Sequence, residues 1–231
     1  KKGYGDCKGL TNYMRVLLKA AGIPSHYAII YSDFTPKVFD PNFAKMGGNH
    51  VILMVPTEKG NIWLENTSQK IAFNHIGYQN SNRNVMLLKD NGLELLNTPT
   101  YTADDTSEVL KLKAKLLEDS SLEGDANYRF TGGMYDYNFM FDGMTPVDAK
   151  ESLKNKYSRV NFGNLDITQI NNDRSNAVMD LGFKFKSNNH SKKIGNDIFF
   201  SILPFNENSF YLEEDENRRL PLEIPFAYND D

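Results

Sequence analysis

The sequence predicts an α+β fold, with one amphipathic helix against an antiparallel sheet in its first part and a mostly antiparallel β region carrying one helix in its second. Three observations predict it. Apolar side chains recur at helical spacing over residues 10–21. They then fall in short β-branched and aromatic runs between turn residues, and beyond residue 100 they alternate with polar ones over long stretches.

The helical face is Leu10, Tyr13, Met14, Leu17, Leu18 and Ala21; Gly22 supplies the stop and Pro24 stands just beyond it. His26-Tyr27-Ala28-Ile29-Ile30-Tyr31 is too short for a second helix and reads as a strand. Residues 33–48, with Pro36, Pro41, Gly47 and Gly48, read as a long loop. His50-Val51-Ile52-Leu53-Met54-Val55 is an apolar strand, Thr57–Asn61 a turn, and Ile62-Trp63-Leu64-Glu65 the returning strand of a hairpin. A hairpin brings the start of its first strand near the end of its second, so His50 and Glu65 are expected neighbours. Val85–Leu88 followed by Asp90-Asn91-Gly92 reads as the last hairpin before a boundary at Asn97–Thr100. Residues 1–98 and 99–231 are therefore expected to form two domains.

In the second part, Val109–Leu116, Tyr128–Phe130, Val178–Phe185 and Ile198–Leu203 read as strands with one solvated face. Thr145-Pro146 opens the one expected helix, with a threonine N-cap and proline at the first helical position. Tyr135-Asp136-Tyr137-Asn138-Phe139 fits either a strand with one buried face or an aromatic surface for a sugar or peptide.

The bulk numbers narrow the partners. With 231 residues, 40% of them hydrophobic and 24% charged, the composition is that of a folded soluble protein. No run of eighteen apolar residues occurs, so no membrane span is expected. A net charge of −4 and no basic, aromatic-rich stretch give no footprint for nucleic acid. The start, Lys1-Lys2-Gly3-Tyr4-Gly5, is not a signal peptide. Standing so close before a candidate nucleophile, it reads as the edge of a fragment or a processed product.

That candidate is Cys7, the single cysteine, at the start of the first helix. A helix N-terminus presents unpaired N–H groups and a partial positive charge, both of which favour a thiolate. A lone cysteine also fits inert burial. A thiol nucleophile needs a histidine to share its proton and an acceptor on that histidine's second nitrogen. His50 follows Cys7 by 43 positions and Glu65 follows His50 by 15, and the three fit these roles. His26 is a second possible base without a carboxylate motif in place, whereas His75 and His190 stand in polar surroundings and read as solvated. Trp63 reads as core packing beside the site. No set of side chains has metal-ligand spacing, and one cysteine argues against structural zinc.

Four segments carry a resemblance: Gly5-Asp6-Cys7-Lys8-Gly9, Leu17-Leu18-Lys19-Ala20-Ala21-Gly22-Ile23-Pro24, Asn49-His50-Val51 and Trp63-Leu64-Glu65-Asn66-Thr67. In this order they resemble bacterial transglutaminase-like proteins, and more closely the exported multidomain type of Bacteroidetes that also carries DUF3857. The resemblance covers roughly residues 3–95 and implies a partial papain-like transglutaminase core, followed by the family's β-rich C-terminal region. It implies Cys7 as nucleophile, His50 as general acid/base and Glu65 as the acid that orients His50. The implied chemistry is acyl transfer at a peptide or protein amide, chiefly hydrolysis of peptidase or amidase type, with no cofactor or metal. It also implies export to the periplasm or cell envelope.

Two departures stand out. Many such cores carry aspartate before Pro-Thr where this chain has Glu65-Asn66-Thr67, and the family's helices upstream of the cysteine lie outside this chain. The Cys7 N–H supplies one oxyanion donor, while the other would come from upstream. The helix face is then expected to meet an upstream domain or a second copy. A catalytically inactive binding module for a peptide, glycan or envelope protein is the alternative expectation.

Overall fold

The computed structural model describes residues 4–33, 37–43, 45 and 47–205 and the backbone of 229–230. Lys1–Gly3 and, within the expected 33–48 loop, Pro36 lie outside the described residues. The fold is α+β with mostly antiparallel sheets.

Helix α1 (Cys7–Ala20) starts where the sequence places it, because Asp6 is extended and its Oδ1 accepts the Gly9 N–H at 2.8 Å. It stops because Gly22 takes φ +74°, letting Gly22 N–H donate to Lys19 at 3.1 Å and Ile23 N–H to Leu18 at 2.8 Å. That pair of bonds satisfies carbonyls the last turn leaves open.

The first sheet contains β1 (His26–Ile30), β2 (His50–Thr57), β3 (Gly60–Leu64), β4 (Asn84–Lys89) and β5 (Gly92–Asn97). All neighbours are antiparallel, in the order β3-β2-β1-β4-β5. Strand β2 reads as an unbroken apolar run because Val51 to Val55 are buried in succession, which requires cover on both faces. Ile52 and Met54 join Ala28, Trp63, Ile76 and Leu87 in one core cluster. Helix α1 is tied to the same strand by the Thr11 hydroxyl, which donates to the Val51 carbonyl at 3.2 Å.

The second sheet is built from β6 (Ser107–Leu116), β7 (Leu122–Thr131), β8 (Phe162–Asp173) and β9 (Val178–Ser187). Phe183 pairs with Ala126 and Leu181 with Tyr128 on the buried face, while Arg129 and Asp180 form an ion pair on the outer face. Long alternation in the sequence is the trace of this two-sided environment. Between β7 and β8 lie α2 (Gly132–Asn138) and α3 (Pro146–Lys156). The latter is capped by Thr145, whose hydroxyl accepts the Asp148 N–H at 3.2 Å, and buries Ala149 and Leu153. A hairpin of β10 (Ser191–Ile194) and β11 (Asp197–Phe200) follows, and β12 (Asn229–Asp230) pairs parallel to β6.

Two expectations are corrected. Residues 135–138 are helical and not a strand, with a 3-10 turn over Phe139–Phe141. Tyr135 and Asn138 are buried, a spacing of three that only a helix presents on one side. A short aromatic run is ambiguous between helix and strand, and Gly132 at φ +53° decides it by turning the chain off the end of β7. The strand expected over Ile198–Leu203 ends at Phe200. No helix among the described residues is long and apolar enough to cross a membrane.

A methyl group at Gly132 would lie 2.5 Å from the Asp105 carbonyl in a backbone conformation that L side chains rarely adopt. Gly132→Ala is expected to lower the unfolding free energy by about 2 kcal/mol or more. Denaturant melts of the two proteins test this, and equal stability would contradict the described turn.

Candidate active site

The β2–β3 hairpin sets the heart of the site. Its register pairs Leu53 with Leu64 and Met54 with Trp63, so Glu65, just past β3, falls on the same face as Trp63 and Ile52. His50 lies two residues before Ile52 and shares that face, diagonal to Glu65. The expected contact is present: His50 Nε2 and Glu65 Oε2 are 2.7 Å apart. Their side chains are only 17% and 8% exposed, so solvent screens the pair little. With Nε2 engaged, Nδ1 is the ring nitrogen left for a nucleophile's proton.

Glu65 is held from several sides. Its Oε1 accepts the Thr67 N–H at 2.9 Å and the Thr67 hydroxyl at 2.6 Å, and Asn80 Nδ2 donates to Oε2 at 3.3 Å. Burial pushes the carboxyl up, but the His50 and Thr67 hydrogen bonds outweigh it and hold Glu65 below its ordinary value. Asn80 is itself buried, and its Nδ2 also donates to the Ile76 carbonyl at 2.7 Å. Both neighbours are acceptors, which assigns the amide nitrogen to that side. Asn49 positions the start of β2 by exchanging two hydrogen bonds with the Ser32 backbone, at 2.7 and 3.0 Å.

Cys7 is the first residue of α1 and is half-buried with a free thiol. Thr11, one turn later on the same helix face, is anchored both to Val51 and, through its hydroxyl, to Asn66 Nδ2 at 3.2 Å. The helix start is thereby fixed against the strand that carries His50. No hydrogen bond joins Cys7 to His50 among the described residues. Burial raises the Tyr27 phenol above its ordinary range, and the nearby Cys7 and Asp6 add to that.

His50 and Glu65 face a cleft of about 590 Å³. Its opposite wall comes from α2 and the turn after it, through Asp136, Tyr137 and Phe139. A larger groove of about 780 Å³, walled by Phe39, Phe43, Met86 and Leu95 among others, contains no histidine.

The other histidines divide. His26 starts β1 opposite Met54 and has no carboxylate hydrogen-bonded to it among the described residues. His190 Nε2 lies 2.8 Å from the Ser201 carbonyl near the surface. The expectation that His75 is solvated is wrong: it is 6% exposed, stacked on Tyr101, with Nε2 2.6 Å from Asp136 Oδ1. Sequence reasoning missed this pair because its partners stand 61 residues apart with no local spacing to mark them. Asn80 was missed for a related reason, since an asparagine after Gly77 reads as turn chemistry. No group of three or more histidine, cysteine, aspartate or glutamate side chains placed to hold a metal occurs among the described residues.

No family model, curated protein or solved structure matches the chain. The resemblance to transglutaminase-like proteins therefore rests on the four sequence motifs alone.

A carboxylate whose folded pKa is depressed contributes stability above its unfolded value, and that contribution is lost as pH falls through the folded one. Glu65 is such a group. Between pH 7 and about pH 3, Glu65→Gln is expected to narrow its stability deficit against the wild type. Thermal melts at stepped pH read this, and a deficit independent of pH would contradict the described hydrogen bonding.

Proposed function

We propose that the chain catalyses cysteine-dependent acyl transfer at an amide, with water as the acceptor, as a peptidase or amidase. The observation that carries this reading is the partly buried 2.7 Å contact of His50 with Glu65, its histidine on the strand to which the Cys7 helix is anchored. In the proposed reaction the Cys7 thiolate attacks the carbonyl carbon of a peptide or protein amide. His50, as imidazolium, gives a proton to the leaving amine as the C–N bond breaks, leaving a thioester on Cys7. Water then attacks the thioester, His50 takes a proton from it, and the acid leaves as the thiolate is restored. Glu65 keeps the imidazole oriented and stabilises its charged form.

The Cys7 N–H at the helix start is one oxyanion donor in this scheme. No step calls for a cofactor or metal. Transglutaminase-like motifs support the same assignment, and an exported, periplasmic or envelope setting follows from that resemblance alone. A second reading, a binding module without catalysis, is favoured by the α1 face, where Tyr13, Val16 and Leu17 are exposed.

Alkylation with iodoacetamide near neutral pH separates the two. Under the catalytic reading Cys7 reacts about fivefold or more faster than a free model thiol, Cys7→Ala is silent and His50→Ala slows to the model rate. A wild-type rate at or below that of the model thiol sinks the catalytic reading and leaves the binding module.

A further inference from the structure

The wall opposite His50 does more than close the cleft. Asp136 on α2 spends both carboxylate oxygens on residues 75–78: Oδ1 lies 2.6 Å from His75 Nε2, and Oδ2 accepts the Tyr78 N–H at 2.5 Å. Tyr78 is the first residue of a 3-10 turn ending at Asn80, and Gly77 just before it takes φ +79°. Asn80 is the residue whose amide reaches Glu65 Oε2, the same oxygen His50 uses. Thr98 fixes the end of the turn by donating to the Asn80 carbonyl at 2.6 Å. A continuous path of hydrogen bonds and one tight turn thus runs from α2 to the His50–Glu65 pair.

The α2 end of this path is anchored at several points. Tyr135 is fully buried, and its hydroxyl lies 3.2 Å from the Lys70 carbonyl and 2.9 Å from Asn172 Oδ1. Asn172 Nδ2 donates to the same Lys70 carbonyl at 2.7 Å, and Phe73 N–H donates to the Arg174 carbonyl at 2.9 Å. Residues 70–80 are therefore clamped against the second sheet while Glu65 and Asn80 serve the first.

We propose that Asp136, contributed by the β-rich half, is a positioning residue for the His50–Glu65 pair, acting through the Tyr78–Asn80 turn and the Asn80 amide. Its consequence for catalysis rests on the proposed function, but its effect on His50 is independent of Cys7. The β-rich half is in this view part of the site's machinery and not only an appended domain.

The test follows the His50 imidazole by NMR in the full chain labelled at histidine, with Asp136→Ala, Asp136→Asn, Asn80→Ala and Asp136→Ala/Asn80→Ala. Loosening Glu65 weakens support for the imidazolium, so the His50 midpoint is expected to fall by about 0.5 in pH in Asp136→Ala and in Asn80→Ala. The double variant should fall no further than either single one, because both cut the same path. Asp136→Asn keeps an acceptor for Tyr78 N–H and should stay within about 0.2 of the wild type.

Equal falls in Asp136→Asn and Asp136→Ala would mean a through-space charge effect and overturn the proposal. So would additive falls in the double variant, or an unmoved midpoint in Asp136→Ala. Should Asp136→Ala fail to fold, Asn80→Ala decides: an unmoved midpoint there also overturns it. A His50 that responds as expected while Cys7 alkylates no faster than a free thiol would remove the catalytic reading and keep this one.

Discussion

The contact of half-buried Asp136 with buried His75 and the Tyr78 N–H is the constraint on which the arrangement of the site depends. It ties α2 to the turn that follows β3, and breaking it would leave a partly buried carboxylate and a backbone N–H without their partners. Around it His75 is enclosed by Tyr101, stacked at 4.9 Å, and by Tyr135, edge-on at 5.1 Å. These rings exclude water and leave the imidazole one polar direction. Residues 65–80 include no α-helix or β-strand, yet they carry Glu65, Thr67, His75 and Asn80. Such a loop holds its shape only where its polar groups are satisfied by neighbours on both sides.

Much of the first sheet was legible because its signals are local. The helical spacing of Leu10 to Ala21, Gly22 after Ala21 and the unbroken run Val51–Val55 each report the environment of the residues that carry them. The nearness of His50 and Glu65 was legible for the same reason, since one short hairpin fixes it. What could not be read is what depends on the other sheet. Asp136 reaches His75 and Tyr78 across a fold contact, and nothing in Tyr135–Phe139 distinguishes a helix lining a cleft from a strand until Gly132 is seen turning the chain. Asn80 gives no sign of its role because its partner is set by the packing of the turn and not by spacing.

The site is electrostatically lopsided. Among the described residues the cleft is lined by two carboxylates, Glu65 and Asp136, and by no lysine or arginine. Each carboxylate is occupied by a histidine and at least one further donor, so the cleft presents committed acceptors and not open negative charge. The rest of the described lining is uncharged and includes Tyr78, Tyr137, Phe139, Ser32, Asn49 and Gln79.

The β2–β3 turn has a consequence for how this protein can change over evolutionary time. Thr57 and Gly60 pair directly, which leaves only Glu58 and Lys59 at the tip, far along the hairpin from His50. Surface turns commonly absorb insertions and deletions with little harm. Here a single added or lost residue that slipped the pairing would swing Glu65 to the opposite face and abolish its contact with His50. Sequence change at this tip is constrained in length, and at Gly60, with φ +115°, in composition as well.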